Sequence, residues 1–351
     1  MRRIKQLYNW QAVLVLLLGM ELFIFGSINP RFVNVSNLLY SIGDFLYIAI
    51  AALPMTMIIV SGGIDISIGS IMGLTAVITG LVWIGLANIW LAMFAGLLGG
   101  ILAGGVNGLL IVITQVNPLV ITLGSSFLYA GTALTLSGLA GTTGFEGIGG
   151  FPDAFVNIAN GSLLNIPNPV WILLVLMIVC YILLHHSKFG RYLFLVGMNQ
   201  ETSRYTGIKV KQLIISNYII SGIGGALGGI LLASYFTSAR SDLGADAPLT
   251  VITCAVLGGA NIYGGEGSIL GTILASLLIG YLKYGLQMVN ITAYQTSVFL
   301  GLLLITSISG AFFWRKYNDM YKNKKVFKSL RSQASFDQED NDRGLIKTNS
   351  P

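Results

Sequence analysis

Ten stretches of this chain are almost free of charge and nearly continuously apolar, and most approach the length that crosses a lipid bilayer. A spanning helix needs about 20 mostly apolar residues, because it rises ~1.5 Å per residue through a hydrocarbon core ~30 Å thick. The candidate spans are 11–28, 45–60, 66–87, 89–114, 118–139, 169–186, 213–236, 249–263, 268–284 and 294–314. The second and eighth are short; Pro54 interrupts the second and Pro248 precedes the eighth. The runs do not alternate apolar with polar residues, which argues against a transmembrane barrel. The expected fold class is therefore an all-α polytopic membrane protein with about ten transmembrane helices. Composition agrees. Charged residues make up 10% of the chain and hydrophobic residues 54%, with a mean hydropathy of +0.77. Soluble domains carry roughly 25% charged residues. Soluble enzymes, nucleic-acid binders and disordered scaffolds are excluded, and the natural surroundings are membrane lipid.

The net charge of +6 is a topological signal, since Lys and Arg accumulate in cytoplasmic loops. With the N-terminus inside, the cytoplasmic pieces hold three basic residues before span one, five between spans six and seven, and nine after span ten. That is seventeen of twenty; Arg31, Arg240 and Lys283 fall outside. An even number of spans with both termini cytoplasmic fits this split. The expected organisation is a cytoplasmic segment 1–10, a permease domain 11–314 and a tail 315–351, basic and then acidic, that is disordered. Arg2-Arg3 before an apolar run superficially resembles a secretory signal, but the run is long and lacks a small-residue cleavage site, so it reads as a retained span. The outer loop 140–168 has no Lys or Arg, is rich in Gly, Asn and Pro, and has room for a short surface or re-entrant helix.

Catalytic chemistry is sparse. Glu21 alone among carboxylates sits clearly inside a span, and intramembrane carboxylates are functional by default. His185 and His186 point ~100° apart on a helix and make a poor metal pair; they read as interface residues, and no metal site is expected. Cys180 and Cys254 lie in spans and read as small apolar residues. No Gly-Lys dipeptide occurs, so a G-x-x-x-x-G-K-[ST] phosphate loop is absent. The chain has no cofactor of its own, and any ATP would be hydrolysed on a separate polypeptide. Asp44, Asp65, Asp242, Asp246 and Glu266 map to span ends or loops, which tilts against ion coupling.

Glycine spacing is informative. Gly96, Gly100, Gly104 and Gly108 form one stripe on span four, and Gly224/Gly228 and Gly225/Gly229 recur on span seven. Small residues four apart let helices approach closely in lipid. Four further stretches stand out: Ser61–Ser70 (SGGIDISIGS), where Asp65 or Ser67 is placed to cap the next helix; Asn117–Gly124 (NPLVITLG); Gly190–Ile208 (GRYLFLVGMNQETSRYTGI); and Gly258–Ser268 (GGANIYGGEGS). The third is too polar to span and too apolar for a free linker. A short amphipathic helix at the membrane surface, positioned to dock a soluble partner, is expected there.

These four stretches, in this order on a ten-span plan, resemble the permease subunits of bacterial ribose-type sugar ABC importers over residues 10–315. Two further runs, Gly141–Pro152 (GTTGFEGIGGFP) and Ser234–Ala245 (SYFTSARSDLGA), are similar to permeases of autoinducer-2 import. The resemblance implies a non-enzymatic inner-membrane transport subunit working by alternating access. The implied partners are a second permease (the LsrC type), two ATP-binding subunits and a periplasmic substrate-binding protein. Gly190, Arg191, Gly197, Asn199 and Gly207 are the candidates for coupling to the ATPases. Asn107, Asn117 and Thr122 are candidates for the substrate path, and Gly62, Gly63, Asp65, Gly264 and Gly265 for gating turns. One departure is clear: where ribose-type permeases commonly carry E-L-D, this chain has Pro248, Leu249 and Thr250. Its loss fits a subunit paired with a non-identical partner. Import of ribose or another monosaccharide stays open as an alternative cargo. An ion-coupled carrier or a structural membrane protein are alternatives of another class.

Overall fold

The computed structural model describes residues 2–142, 146–292, 295–303, 305, 306 and 309, with side chains from Trp10 onward. Residues up to Gly301 form one unit; of the second, from Leu302, the described residues are helical. The tail 315–351 and most of span ten beyond 303 lie outside the described residues.

The helices are α1 (Arg2–Ile28), α2 (Val35–Val60), α3 (Ile68–Leu86), α4 (Ile89–Thr114), α5 (Pro118–Leu139), α6 (Asp153–Asn160), α7 (Asn168–Tyr181), α8 (Lys188–Met198), α9 (Gln200–Tyr205), α10 (Val210–Phe236), α11 (Ala247–Leu257) and α12 (Ile269–Met288). A two-residue hairpin, β1 (Ser162–Leu163) with β2 (Ile166–Pro167), pairs Ser162 with Pro167. A π-turn, Ile182–His186, extends α7. Among the described residues eight helical segments are long and apolar enough to cross a membrane, and α11 is a shorter apolar helix.

α10 is the axis of the bundle, with α4, α3 and α2 packed around it. Glycines set those distances. A Cβ on Gly104 would lie 2.2 Å from the Tyr218 carbonyl and one on Gly100 2.5 Å from that of Gly222, so α4 meets α10 backbone to backbone. On the other faces of α10, a Cβ on Gly229 would sit 2.2 Å from the Met72 carbonyl of α3, and one on Gly224 2.5 Å from Pro54 of α2. Dispersion contacts and close approach hold helices together in lipid, where apolar burial alone supplies no drive. α1 and α5 are peripheral, with large apolar side chains such as Phe23 and Phe127 facing outward.

Two expectations are corrected. Span two is neither short nor broken: α2 runs unbroken through Pro54, which is buried. The missing proline N–H needs no partner, and the ring fills the groove opened by Gly224. Asp44 consequently lies inside α2, and the Tyr235 hydroxyl donates to its carboxylate. Span eight is short, as expected, but ends at Leu257. The loop 140–168 contains the expected short helix, α6, which is strapped over the end of α10: Ser234 Oγ donates to the Phe155 carbonyl (2.7 Å) and accepts from Ala159 N (3.1 Å).

Candidate functional site

Two assemblies near the α8 end of the bundle gather most of the residues singled out above.

The first is a buried polar knot at the link between α2 and α3. Gly62, at φ +85°, ends α2, and Gly63 N donates back to the Ile58 carbonyl (3.0 Å). A positive φ is cheap only without a Cβ. The chain then runs inward and buries Asp65 completely. Its Oδ1 accepts from Ser67 N (3.0 Å) and Ser67 Oγ (2.6 Å), and its Oδ2 from Ser221 Oγ of α10 (2.7 Å). Ser67 Oγ accepts from Asn107 Nδ2 of α4 (2.7 Å), and Asn107 Oδ1 accepts from the Tyr129 hydroxyl of α5 (3.0 Å). Thr122 of α5 donates to the Ile64 carbonyl (3.1 Å) and accepts from Ile66 N (3.2 Å). Burial pushes the Asp65 carboxyl above its ordinary pKa, while the bonds from Ser67 and Ser221 pull it back. The capping role expected of Asp65 or Ser67 is not filled: Ser67 holds the N-cap position of α3 without a side-chain cap bond, and Asp65 accepts from Ser67 N, just before the helix begins.

The second assembly is a lever. α8 is amphipathic, with Leu193 and Val196 buried and Arg191, Leu195 and Met198 exposed. The expected single surface helix is two, because Asn199 breaks the path with extended backbone and caps α9 through Thr202 N (2.8 Å). Gly207, at φ +84°, ends the corner. α8 is pinned at both ends. A Cβ on Gly190 would lie 1.9 Å from the Leu184 carbonyl, and one on Gly197 1.8 Å from the Val60 carbonyl and 2.5 Å from Gly265 N. Gly265 N in turn donates to the Val60 carbonyl (2.8 Å), and a Cβ on Gly264 would meet the Gly197 carbonyl at 2.6 Å. The last carbonyl of α2, the third turn of α8 and the 258–268 turn thus share one contact. Trp10 Nε1 reaches the Leu257 carbonyl (2.7 Å), and His185 Nε2 accepts from Ile269 N (3.3 Å).

The structure brings Gly62, Gly63 and Asp65 into the knot, and Gly190, Gly197, Gly264 and Gly265 into the lever. Arg191 stays exposed beside it. The path candidates divide. Asn107 and Thr122 are fully buried inside the knot, and Asn117 is an exposed cap on α5, accepting from Leu119 N (2.9 Å). Sequence reasoning missed Ser221, Tyr129 and Tyr218 at the knot, the last donating its hydroxyl to the Ile64 carbonyl (3.4 Å). Their one signal is a polar group in an apolar span at the depth of a helix break. Glu21 is buried on α1 with neither carboxylate oxygen hydrogen-bonded.

The family described as the permease component of branched-chain amino acid transport systems matches residues 37–308. The autoinducer 2 import system permease protein LsrD of Enterobacter sp. (strain 638) is 47% identical over 302 residues, covering 86% of this chain and 92% of that protein. Its counterparts in Klebsiella pneumoniae and Escherichia coli K12 are each 48% identical over 86% of this chain, covering 91% and 92% of those proteins. No solved structure matches. With its long apolar helices and a close-packed glycine bundle, the chain belongs to this transport-system permease family, as a multi-pass subunit of a bacterial inner-membrane ABC transporter.

Proposed function

We propose that the chain is one permease of a heteromeric ABC importer for autoinducer-2, the small sugar-like signal that its relatives import. A second permease of the LsrC type would complete the path. Two ATP-binding subunits would engage α8 and α9, and a periplasmic binding protein would deliver cargo at the α6 end. On the expected topology seventeen of twenty Lys and Arg belong to the side of α8 and both termini, which would then face the cytoplasm.

The observation that carries this reading is the shared contact at Gly197. α8 presents Arg191, Leu195 and Met198 outward while its inner face holds the ends of α2 and of the 258–268 turn. A push on α8 is therefore transmitted to two long elements at once. The packed backbone leaves no slack, because interiors and close interfaces shift between discrete arrangements rather than deform. Closure of the ATPases would move α8 and rotate the inner ends of α2 and α12. The polar knot holds α3, α4, α5 and α10 as the body against which they move. The permease itself changes no bond in the cargo.

Depletion of autoinducer-2 from medium by cells lacking only this chain tests the reading, with ribose and leucine uptake measured beside it. Loss of signal clearance with both other uptakes intact is expected. Cells carrying Arg191→Glu should insert the chain normally and clear the signal at least about tenfold more slowly, an effect of ~1.4 kcal/mol or more on coupling. Continued clearance in the deletion strain, with loss of ribose or leucine uptake instead, would overturn the cargo.

A further inference from the structure

At the α6 end, remote from the knot and the lever, an open cavity of about 360 Å³ lies between α2, α6, β2, α7, α10 and α12. Its polar lining is Asn37, Tyr40, Ser41, Asp44, Asn160, Tyr235 and Tyr284. We propose that this cavity is a binding site within the chain for a neutral polyhydroxylated small molecule, anchored on Asp44. The proposal rests on the transport reading above and adds a place where cargo stops before crossing.

The volume is at the small end of the ~300–1,000 Å³ typical of ligand pockets, enough for one molecule the size of a pentose. Chemistry narrows the class further. Most donors in the lining already serve the protein. Asn37 Nδ2 donates to the Arg31 carbonyl (2.9 Å), Asn160 Nδ2 to that of Ser234 (3.0 Å), and Ser41 Oγ to that of Leu38 (3.0 Å). The Tyr235 hydroxyl is turned onto Asp44. What the cavity offers is a set of oxygen acceptors: two amide oxygens, a serine oxygen and a carboxylate with lone pairs remaining. The Tyr40 and Tyr284 phenols add two donors, and the three tyrosine rings supply flat apolar faces. A wall rich in acceptors suits a ligand rich in hydroxyl donors. A carboxylate accepting from two neighbouring hydroxyls makes the stronger, charge-assisted kind of hydrogen bond. Tyr235 holds Asp44 in place from α10 while α6 closes the rim through Asn160, so the site is preformed.

The placement also links site to motion. Asp44 is on α2, the helix whose far end carries the Val60 carbonyl under Gly197. A molecule held between α2, α10 and α12 is gripped between the two helices that the lever moves, α2 and α12, and the body against which they move.

Binding of autoinducer-2 and of radiolabelled ribose to right-side-out vesicles containing the full chain is the test. Asp44→Asn preserves shape and the acceptor for Tyr235 but removes the charge. It should weaken binding about tenfold, and Tyr284→Phe, which deletes only the phenol oxygen, about threefold. Thermal melting in detergent should be unchanged for Tyr284→Phe, so that variant reads the site even where Asp44→Asn disturbs folding. Wild-type binding of both probes in the two variants, or no specific binding by the wild type, would overturn the proposal. Whole-cell clearance separates the two readings. Binding that needs Asp44 in a chain whose deletion leaves clearance intact would refute the transport cargo and leave the site. Clearance that needs the chain while both variants bind normally would refute the site alone.

Discussion

At Asp65 two physical demands oppose each other. Full burial favours the neutral carboxyl, and three donors favour the anion. The balance falls on the raised side, so the folded chain holds the proton more tightly than the unfolded chain does. Stability contributed by Asp65 is then full in acid and declines as pH rises from the ordinary carboxylate range through the raised value. Melting of the purified protein should therefore show a temperature that falls with pH across that window, and Asp65→Asn should flatten the slope. Asp65→Leu strands Ser67 N–H and the hydroxyls of Ser67 and Ser221 in a buried site. It should cost about 3 kcal/mol at all pH values, at about 1 kcal/mol for each of three unsatisfied buried groups. Asp65 was legible in sequence only as a candidate capping residue. Its partner Ser221 was not, because nothing in an apolar helix shows which turn will face a loop 156 residues away.

Among elements, α4 and α10 depend on each other most closely. The stripe Gly96, Gly100, Gly104 and Gly108 announced a packed face, and α10 supplies the backbone that fills it. Gly104→Val forces a branched side chain against the Tyr218 carbonyl and should cost about 1–3 kcal/mol, the usual range for overpacking. The check is the fraction surviving detergent extraction as a monodisperse species, against Gly124→Val as control. A Cβ on Gly124 would meet nothing within 4 Å beyond its own helix. The same logic applies at Gly197, where Gly197→Val should leave insertion intact yet abolish ATP-driven import. The amphipathic character of 190–208 was readable from composition. Its division into α8 and α9 depended on Asn199 adopting extended backbone as the cap of α9.

For the whole molecule, the charge split makes a prediction about sidedness. The hairpin residue Asn165 should, as Asn165→Cys, react with an impermeant thiol reagent on intact cells, whereas Lys209→Cys should react only in opened membranes. Native Cys254 is buried and should stay silent. Reaction of both or neither in intact cells would contradict the orientation. The sequence by itself determined that this is a multi-span helical membrane protein, where most spans lie and which faces pack, because a bilayer imposes length, apolarity and full internal hydrogen bonding on each span. Tertiary structure alone decided the rest. Pro54 continues a helix because Gly224 makes room for it, and Asp44 sits inside a span because a tyrosine from α10 meets it. Asn107 belongs to a buried knot because Ser67 and Tyr129 converge on it. Such contacts join positions tens to hundreds of residues apart, and no local pattern records them.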